Sequence, residues 1–133
     1  MPIYVKLCWQ EVTITHTERD PQALLPLTPA LFHILLALSD GERHGYGIMQ
    51  EIGWRTGNQV RMGPGTLYGT IKRMLADGLI EESAARPDPN LDDERRRYYR
   101  LTNFGQRVVR AEAKRLEQLV QVARSKQLLQ GDV

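Results

Sequence analysis

The residues whose types and spacing could do chemistry are basic, and they lie in two clusters. Lys72 and Arg73 sit in an apolar-periodic stretch that Gly63-Pro64-Gly65-Thr66 opens and Asp77-Gly78 closes; Arg95, Arg96, Arg97 and Arg100 form the second cluster. At 100° per residue, a helix that buries Leu67, Ile71, Met74 and Leu75 turns Thr66, Gly69, Lys72, Arg73 and Ala76 outward. That face is narrow and basic. Its small residues allow close approach to a groove floor, and Lys72 and Arg73 can reach phosphates or guanine edges. The N–H groups at Gly65 and Thr66, just after Pro64, make a natural phosphate seat. Tyr68 flanks the buried stripe, where it either donates its hydroxyl to a phosphate or packs. In the second cluster, strand alternation separates Arg96, Tyr98 and Arg100 from Arg97, Tyr99 and Leu101. Tyr99 and Leu101 are expected to pack on the helices, and Arg96 and Arg97 to touch phosphates. Between Gly63 and Leu101 there are seven basic and seven acidic residues, so the region is locally neutral. Either Asp88, Asp92, Asp93 and Glu94 pair with the arginines, or the hairpin tip points away from nucleic acid.

Other chemistries find no support. Gly63-Pro64-Gly65 lacks the Gly-Lys-Ser/Thr ending of a phosphate-binding loop. His16, His33, His44 and Cys8 have no metal-ligand spacing, so no metal site is expected. No serine–histidine–acid set or paired carboxylates argue for an enzyme, and no cofactor is implied. His33 in the first helix and His44 at the start of the second are better read as capping or packing residues.

The elements that must position the basic residues follow from periodicity and punctuation. Thr28-Pro29 starts a helix with an N-cap and a proline at its first turn, and Leu31, Ile34, Leu35 and Leu38 share one face. A second helix runs from about His44 to Thr56, burying Ile48 and Ile52, and Gly57-Asn58 ends it. The helix that begins at Gly63 is the third. Strands at Leu79–Ala84 and Arg96–Leu101 flank a tip at Ala85–Arg95 rich in proline and aspartate. Thr102 caps a long helix from Asn103 to about Leu128. Three helices, a β-hairpin and a long helix make a mainly α, α+β chain: a winged helix-turn-helix followed by a dimerisation helix. In that arrangement the third helix enters the major groove and the hairpin touches backbone or minor groove. Residues 28–102 form the domain and 103–133 the helix and tail. Residues 1–27 are an extension, strand-like at Ile3–Thr15 and linker-like at Thr17–Pro26, expected to be weakly ordered and outside the core.

The bulk numbers agree. The 133 residues suit one domain with an added element, and 41% hydrophobic with 26% charged is ordinary for a soluble protein. The net charge of +2 does not declare a partner, so charge distribution matters more than the sum. A single cysteine excludes an internal disulfide and fits a cytoplasmic protein. No apolar run is long enough for a membrane span, and no secretory signal is expected.

Four segments together resemble the PadR family of bacterial transcriptional regulators. They are Phe32-His33-Ile34-Leu35-Leu36-Ala37-Leu38, His44-Gly45-Tyr46-Gly47-Ile48, Gly63-Pro64-Gly65-Thr66-Leu67-Tyr68-Gly69 with Gly78-Leu79-Ile80, and Arg96-Arg97-Tyr98-Tyr99-Arg100-Leu101-Thr102 with Gly105. The resemblance spans about Leu27 to Leu128. It implies a homodimeric repressor that binds a palindromic operator in double-stranded DNA, and some members respond to small molecules. Many members carry proline where this chain has Gly69, a departure that bears on operator preference.

In the last helix Val109, Ala113, Leu116, Val120 and Ala123 repeat at spacings of 4, 3, 4 and 3, with Leu119 and Val122 widening the seam. About 25 residues span about 38 Å, too long for so small a domain to cover, so the stripe is expected to form a homodimer. Trp54 closes the second helix, where it either packs in the core or lines an effector cavity at the dimer interface. A winged-helix protein–protein interaction module is the competing reading, because fold does not settle function and the wing is neutral.

Overall fold

In a computed structural model the described residues are 19–83 and 97–129. The expected strand at Ile3–Thr15, the hairpin tip with its four acids, Arg95 and Arg96 lie outside them.

Helix α1 (Pro29–Ala37) begins where Thr28 caps it, its hydroxyl accepting from the Leu31 N–H at 3.2 Å. Helix α2 (Gly45–Arg55) is capped by the His44 ring, whose Nδ1 accepts from the Gly47 N–H at 2.8 Å. It stops at Gly57 and Asn58, both left-handed with φ 60° and 64°. Glycine and asparagine tolerate that region best, and the Asn58 N–H then satisfies the Gly53 carbonyl at 2.7 Å. Helix α3 (Pro64–Ala76) follows, with Gly63 as its N-cap. Ile34 and Leu35 of α1, Ile48 and Ile52 of α2, and Leu67, Ile71 and Met74 of α3 close one core, joined by Leu79, Tyr99 and Val108.

The hairpin pairs β2 (Ile80–Ser83) with β3 (Tyr98–Leu101), antiparallel, with Ile80 opposite Leu101 and Glu81 opposite Arg100. A third strand, β1 (Arg43–His44), adds to the far edge of β3, so the sheet order is β1-β3-β2. Two residues are too few to carry a period, so the sequence offers no strand signal there. Arg43 holds them in place: its Nε donates to the Ala37 carbonyl at 2.8 Å, and its guanidinium lies 3.6 Å from Glu51.

Helix α4 (Asn103–Ser125) starts at Thr102, whose hydroxyl accepts from the Gly105 N–H at 2.9 Å and donates to the Gly78 carbonyl at 2.6 Å. Gly105 is buried so close to the Leu79 carbonyl that a methyl group there would overlap it.

Residues 19–27 are not the loose linker that their two prolines suggest. Pro21–Leu24 form a 3₁₀ turn capped by Asp20, and Leu24, Leu25 and Leu27 pack on the core. The Leu27 N–H reaches a carboxylate oxygen of Glu112 at 3.0 Å. Glu112 is 2% exposed, and Arg115 satisfies its carboxylate at 2.6 and 3.0 Å. The Arg115 guanidinium holds this carboxyl below its usual range; burial opposes that, and the Leu27 N–H reinforces it. A charged residue inside an apolar stripe has no periodic signature, so only its spatial partners reveal why it is buried.

Candidate nucleic-acid interface

The solvent face of α3 holds the residues that periodicity placed there. Gly63, Pro64, Gly65, Thr66, Gly69, Lys72, Arg73 and Ala76 are all exposed. A methyl group built on Gly65 or Gly69 meets nothing within 4 Å, so the backbone of this face is open to approach. The first helical bond runs from the Leu67 N–H to the Gly63 carbonyl at 2.9 Å, which leaves the Gly65 and Thr66 amides before it without a helical acceptor. No side chain caps this end, and no acidic residue lies in the first turn. The end of α3 therefore carries uncompensated positive potential. Among the described residues Lys72 and Arg73 form no ion pair.

Tyr68 stands differently from its neighbours. Its ring lies against Gly45 of α2, so closely that a methyl on Gly45 would overlap it, and its hydroxyl is buried. In this conformation the side chain packs and its hydroxyl faces the interior.

The wing is electrostatically committed. Arg100 Nε lies 2.8 Å from Glu81, and an Arg97 guanidinium nitrogen lies 3.5 Å from Glu82. Both acids come from β2 and not from the tip. These pairs are about half exposed, so each is worth roughly 0–1 kcal/mol, and a phosphate could exchange for the carboxylate at small cost. Tyr99 is buried and Leu101 half-buried, as alternation predicts; Arg96 lies outside the described residues. The Tyr98 ring meets the His44 ring edge-on, with centroids 5.3 Å apart.

Trp54 is 84% exposed and packs in no core. Two residues beyond Ile52 is 200° around the helix, which puts it on the outer face of α2. There it rims an open groove of about 540 Å³, with Arg43, His44, Gln50, Glu51 and Tyr98 along its walls. Between α2 and α1, the Arg55 guanidinium lies 3.2 Å from His33 Nδ1; burial and this cation together lower the His33 pKa.

The seam of α4 divides along its length. Val109 belongs to the chain's own core, because the first half of α4 is covered by the domain. Leu116 and Ala123 are half-buried, Ala113 is exposed, and Leu119, Val120 and Val122 are 54%, 42% and 51% exposed. Among the described residues no helix is long and apolar enough to cross a membrane, and no histidine, cysteine or carboxylate cluster could hold a metal.

Gly69 lies on the exposed face of α3 with open space beyond it. In the middle of an exposed helix, Gly69→Ala should raise stability by about 1 kcal/mol. The added methyl would stand in the open space on that face, and a loss of duplex affinity is the expected result where the face approaches DNA. Thermal melting and duplex titration of one preparation check both signs; lower stability would contradict the open space beyond Gly69.

Comparison with known proteins agrees with this geometry. The family model described as the transcriptional regulator PadR-like family matches residues 34–111, from the middle of α1 to the covered half of α4. The transcriptional regulator Rv3488 of Mycobacterium tuberculosis is 37% identical over 87 residues, 65% of this chain and 75% of that protein. A transcriptional regulator from Clostridium thermocellum superposes with a TM-score of 0.59 at 25% identity, over 72% of this chain and 87% of that one. Bacillus subtilis PadR, solved in complex with operator DNA, shares the fold with a TM-score of 0.54 at 21% identity, over 65% of this chain and 47% of that one. With a family match covering more than half of its length, from the middle of α1 through α2, α3 and the wing strands, the chain belongs to the transcriptional regulator PadR-like family.

Proposed function

We propose that this chain is a homodimeric transcriptional repressor that binds a palindromic operator in double-stranded DNA, with α3 in the major groove and the wing on the backbone. The observation that carries this reading is the α3 face: an uncapped helix start, two glycines with open space before them, and two exposed cations that no described carboxylate neutralises. Those features suit a polyanion that must come close to backbone. The operator complex of Bacillus subtilis PadR, which has the same fold, supports the assignment. Pro64, Gly65 and Thr66 would seat a phosphate, Lys72 and Arg73 would read or flank bases, and Arg97 would exchange Glu82 for a phosphate.

The exposed apolar second half of α4 supports the dimer. A 23-residue helix is about 35 Å long, and the domain covers only its first part. A two-fold axis through Leu119, Val120 and Val122 would place the two α3 helices on successive major-groove turns, about 34 Å apart. A dimer seated on a promoter would repress by excluding polymerase. The groove beside Trp54 is where a small-molecule effector could act on α2.

Duplex binding is expected to weaken steeply with salt, and Leu119→Glu with Val120→Glu is expected to give monomers that bind one half-site only. Titration across salt concentrations, with sedimentation of both proteins, checks this. Salt-independent or absent duplex binding would instead favour an interaction module.

A further inference from the structure

Residues 19–27 lie outside the family match at 34–111, yet they join the recognition helix to the dimer helix. Arg19 makes the join. One of its guanidinium nitrogens donates to the Asp77 carbonyl, the C-cap of α3, at 2.7 Å. The guanidinium lies 4.2 Å above the centre of the Phe104 ring in the first turn of α4. The Arg19 backbone carbonyl accepts from Arg107 of α4 at 3.1 Å. At the other end of the segment, the Leu27 N–H is held by the buried Glu112. The segment therefore follows α4 from Phe104 to Glu112, about 12 Å at 1.5 Å per residue, and reaches sideways to the end of α3.

The end of α3 has a second tether to α4. The Thr102 hydroxyl donates to the Gly78 carbonyl at 2.6 Å, one residue beyond the carbonyl that Arg19 holds. A single hydrogen bond acts as a pivot. Two bonds on adjacent carbonyls, from two separate segments, restrict rotation about either one. Arg19 also brings a cation to the negative end of the helix dipole, so the interaction is charge-assisted.

We propose that Arg19 is a positioning residue that fixes the angle between α3 and α4, and with it the half-site spacing that the dimer accepts. The proposal rests on the DNA reading above. In a dimer joined through the distal half of α4, any change in that angle moves the two recognition helices relative to each other. A single helix docking on a single half-site is insensitive to the angle. Arg19 thus acts on spacing, whereas a residue serving only stability would act on all duplexes alike.

The test uses the full chain and a duplex that the wild-type protein enriches from a randomised pool. Three companions are made: the spacer between half-sites lengthened by one base pair, shortened by one base pair, and one half-site alone. One base pair rotates a half-site by about 35°, enough to expose a rigid angle. The wild type should prefer its own spacing by at least about fivefold, the lower end of ordinary coupling between sites. Arg19→Ala should bring that preference close to parity while binding the single half-site as the wild type does. Arg19→Lys, which keeps a donor for Asp77 but loses the flat stack on Phe104, should restore part of it. Melting temperatures are recorded for each.

Wild-type spacing preference in Arg19→Ala overturns the proposal, whatever happens to melting. So does a wild type indifferent to spacing. Should Arg19→Ala not fold, Phe104→Leu removes the stacking platform and is held to the same spacing ratios. A wild type that enriches no duplex removes the DNA reading itself, a failure distinct from equal ratios among duplexes that do bind.

Discussion

Replacing Lys72 and Arg73 together by alanine is expected to weaken duplex binding about a hundredfold and to leave folding intact. Both side chains are exposed on α3, and neither pairs with a described carboxylate, so their removal breaks no ion pair that holds the fold. Alanine is the best helix former, so the helix itself should not suffer. A bidentate arginine–guanine interaction is worth about 1–3 kcal/mol, and in the proposed dimer each protomer would also give up a phosphate partner. About 2.7 kcal/mol is a hundredfold. The single variants should separate the roles. A side chain that touches only phosphate lowers the salt slope by about one per phosphate and weakens all sequences alike. One that reads a base relaxes discrimination at one operator position. Binding that survives the double replacement unchanged would mean that α3 turns another face to DNA.

Gly105→Ala is expected to give the largest loss of stability among single-methyl changes, about 3 kcal/mol, the upper end for an overpacked site. The obstacle is the Leu79 carbonyl, which is backbone and cannot rotate aside as a side chain would. The surroundings are already committed: Thr102 caps the Gly105 N–H and holds the Gly78 and Leu79 carbonyls. Relief requires α4 to move away from the strand that leads into the wing. At this chain length, circular dichroism should report a fall in melting temperature of more than about 10 °C. Gly69→Ala is the internal control, because the same methyl on an open helix face should move melting the other way. A Gly105→Ala protein that melts with the wild type would mean that α4 can retreat from Leu79 freely.

Much of this molecule was legible from residue types alone. Thr28-Pro29, Gly57-Asn58 and Thr102 mark helix ends through chemistry that acts over three or four residues, and each appears where that chemistry predicts. The outward face of α3 follows from 100° geometry, because Leu67, Ile71 and Met74 can be buried in only one way. The family was legible from four short segments, nearly all of which lie within the matched residues 34–111.

Non-local packing was not legible, and it changed the reading of particular residues. Tyr68 had two local options, and the absence of a side chain on Gly45, 23 positions earlier, selects packing. Val109 has the spacing of a dimer seam, but the domain's own core reaches it first. Strand β1 exists only because β3 offers it an edge and Arg43 a tether.

The segment at 19–27 shows the limit most plainly. Its prolines speak for a linker, but Arg19 meets Asp77 and Leu27 meets Glu112 across separations of 58 and 85 residues. The sequence by itself determined the helices, their ends, the basic face and the family, because those depend on neighbours within a turn or two. Only the tertiary structure decided which apolar stripe is covered, which hydroxyl is buried and what holds α3 to α4. Those outcomes depend on partners brought together by folding, whose identity no local pattern records.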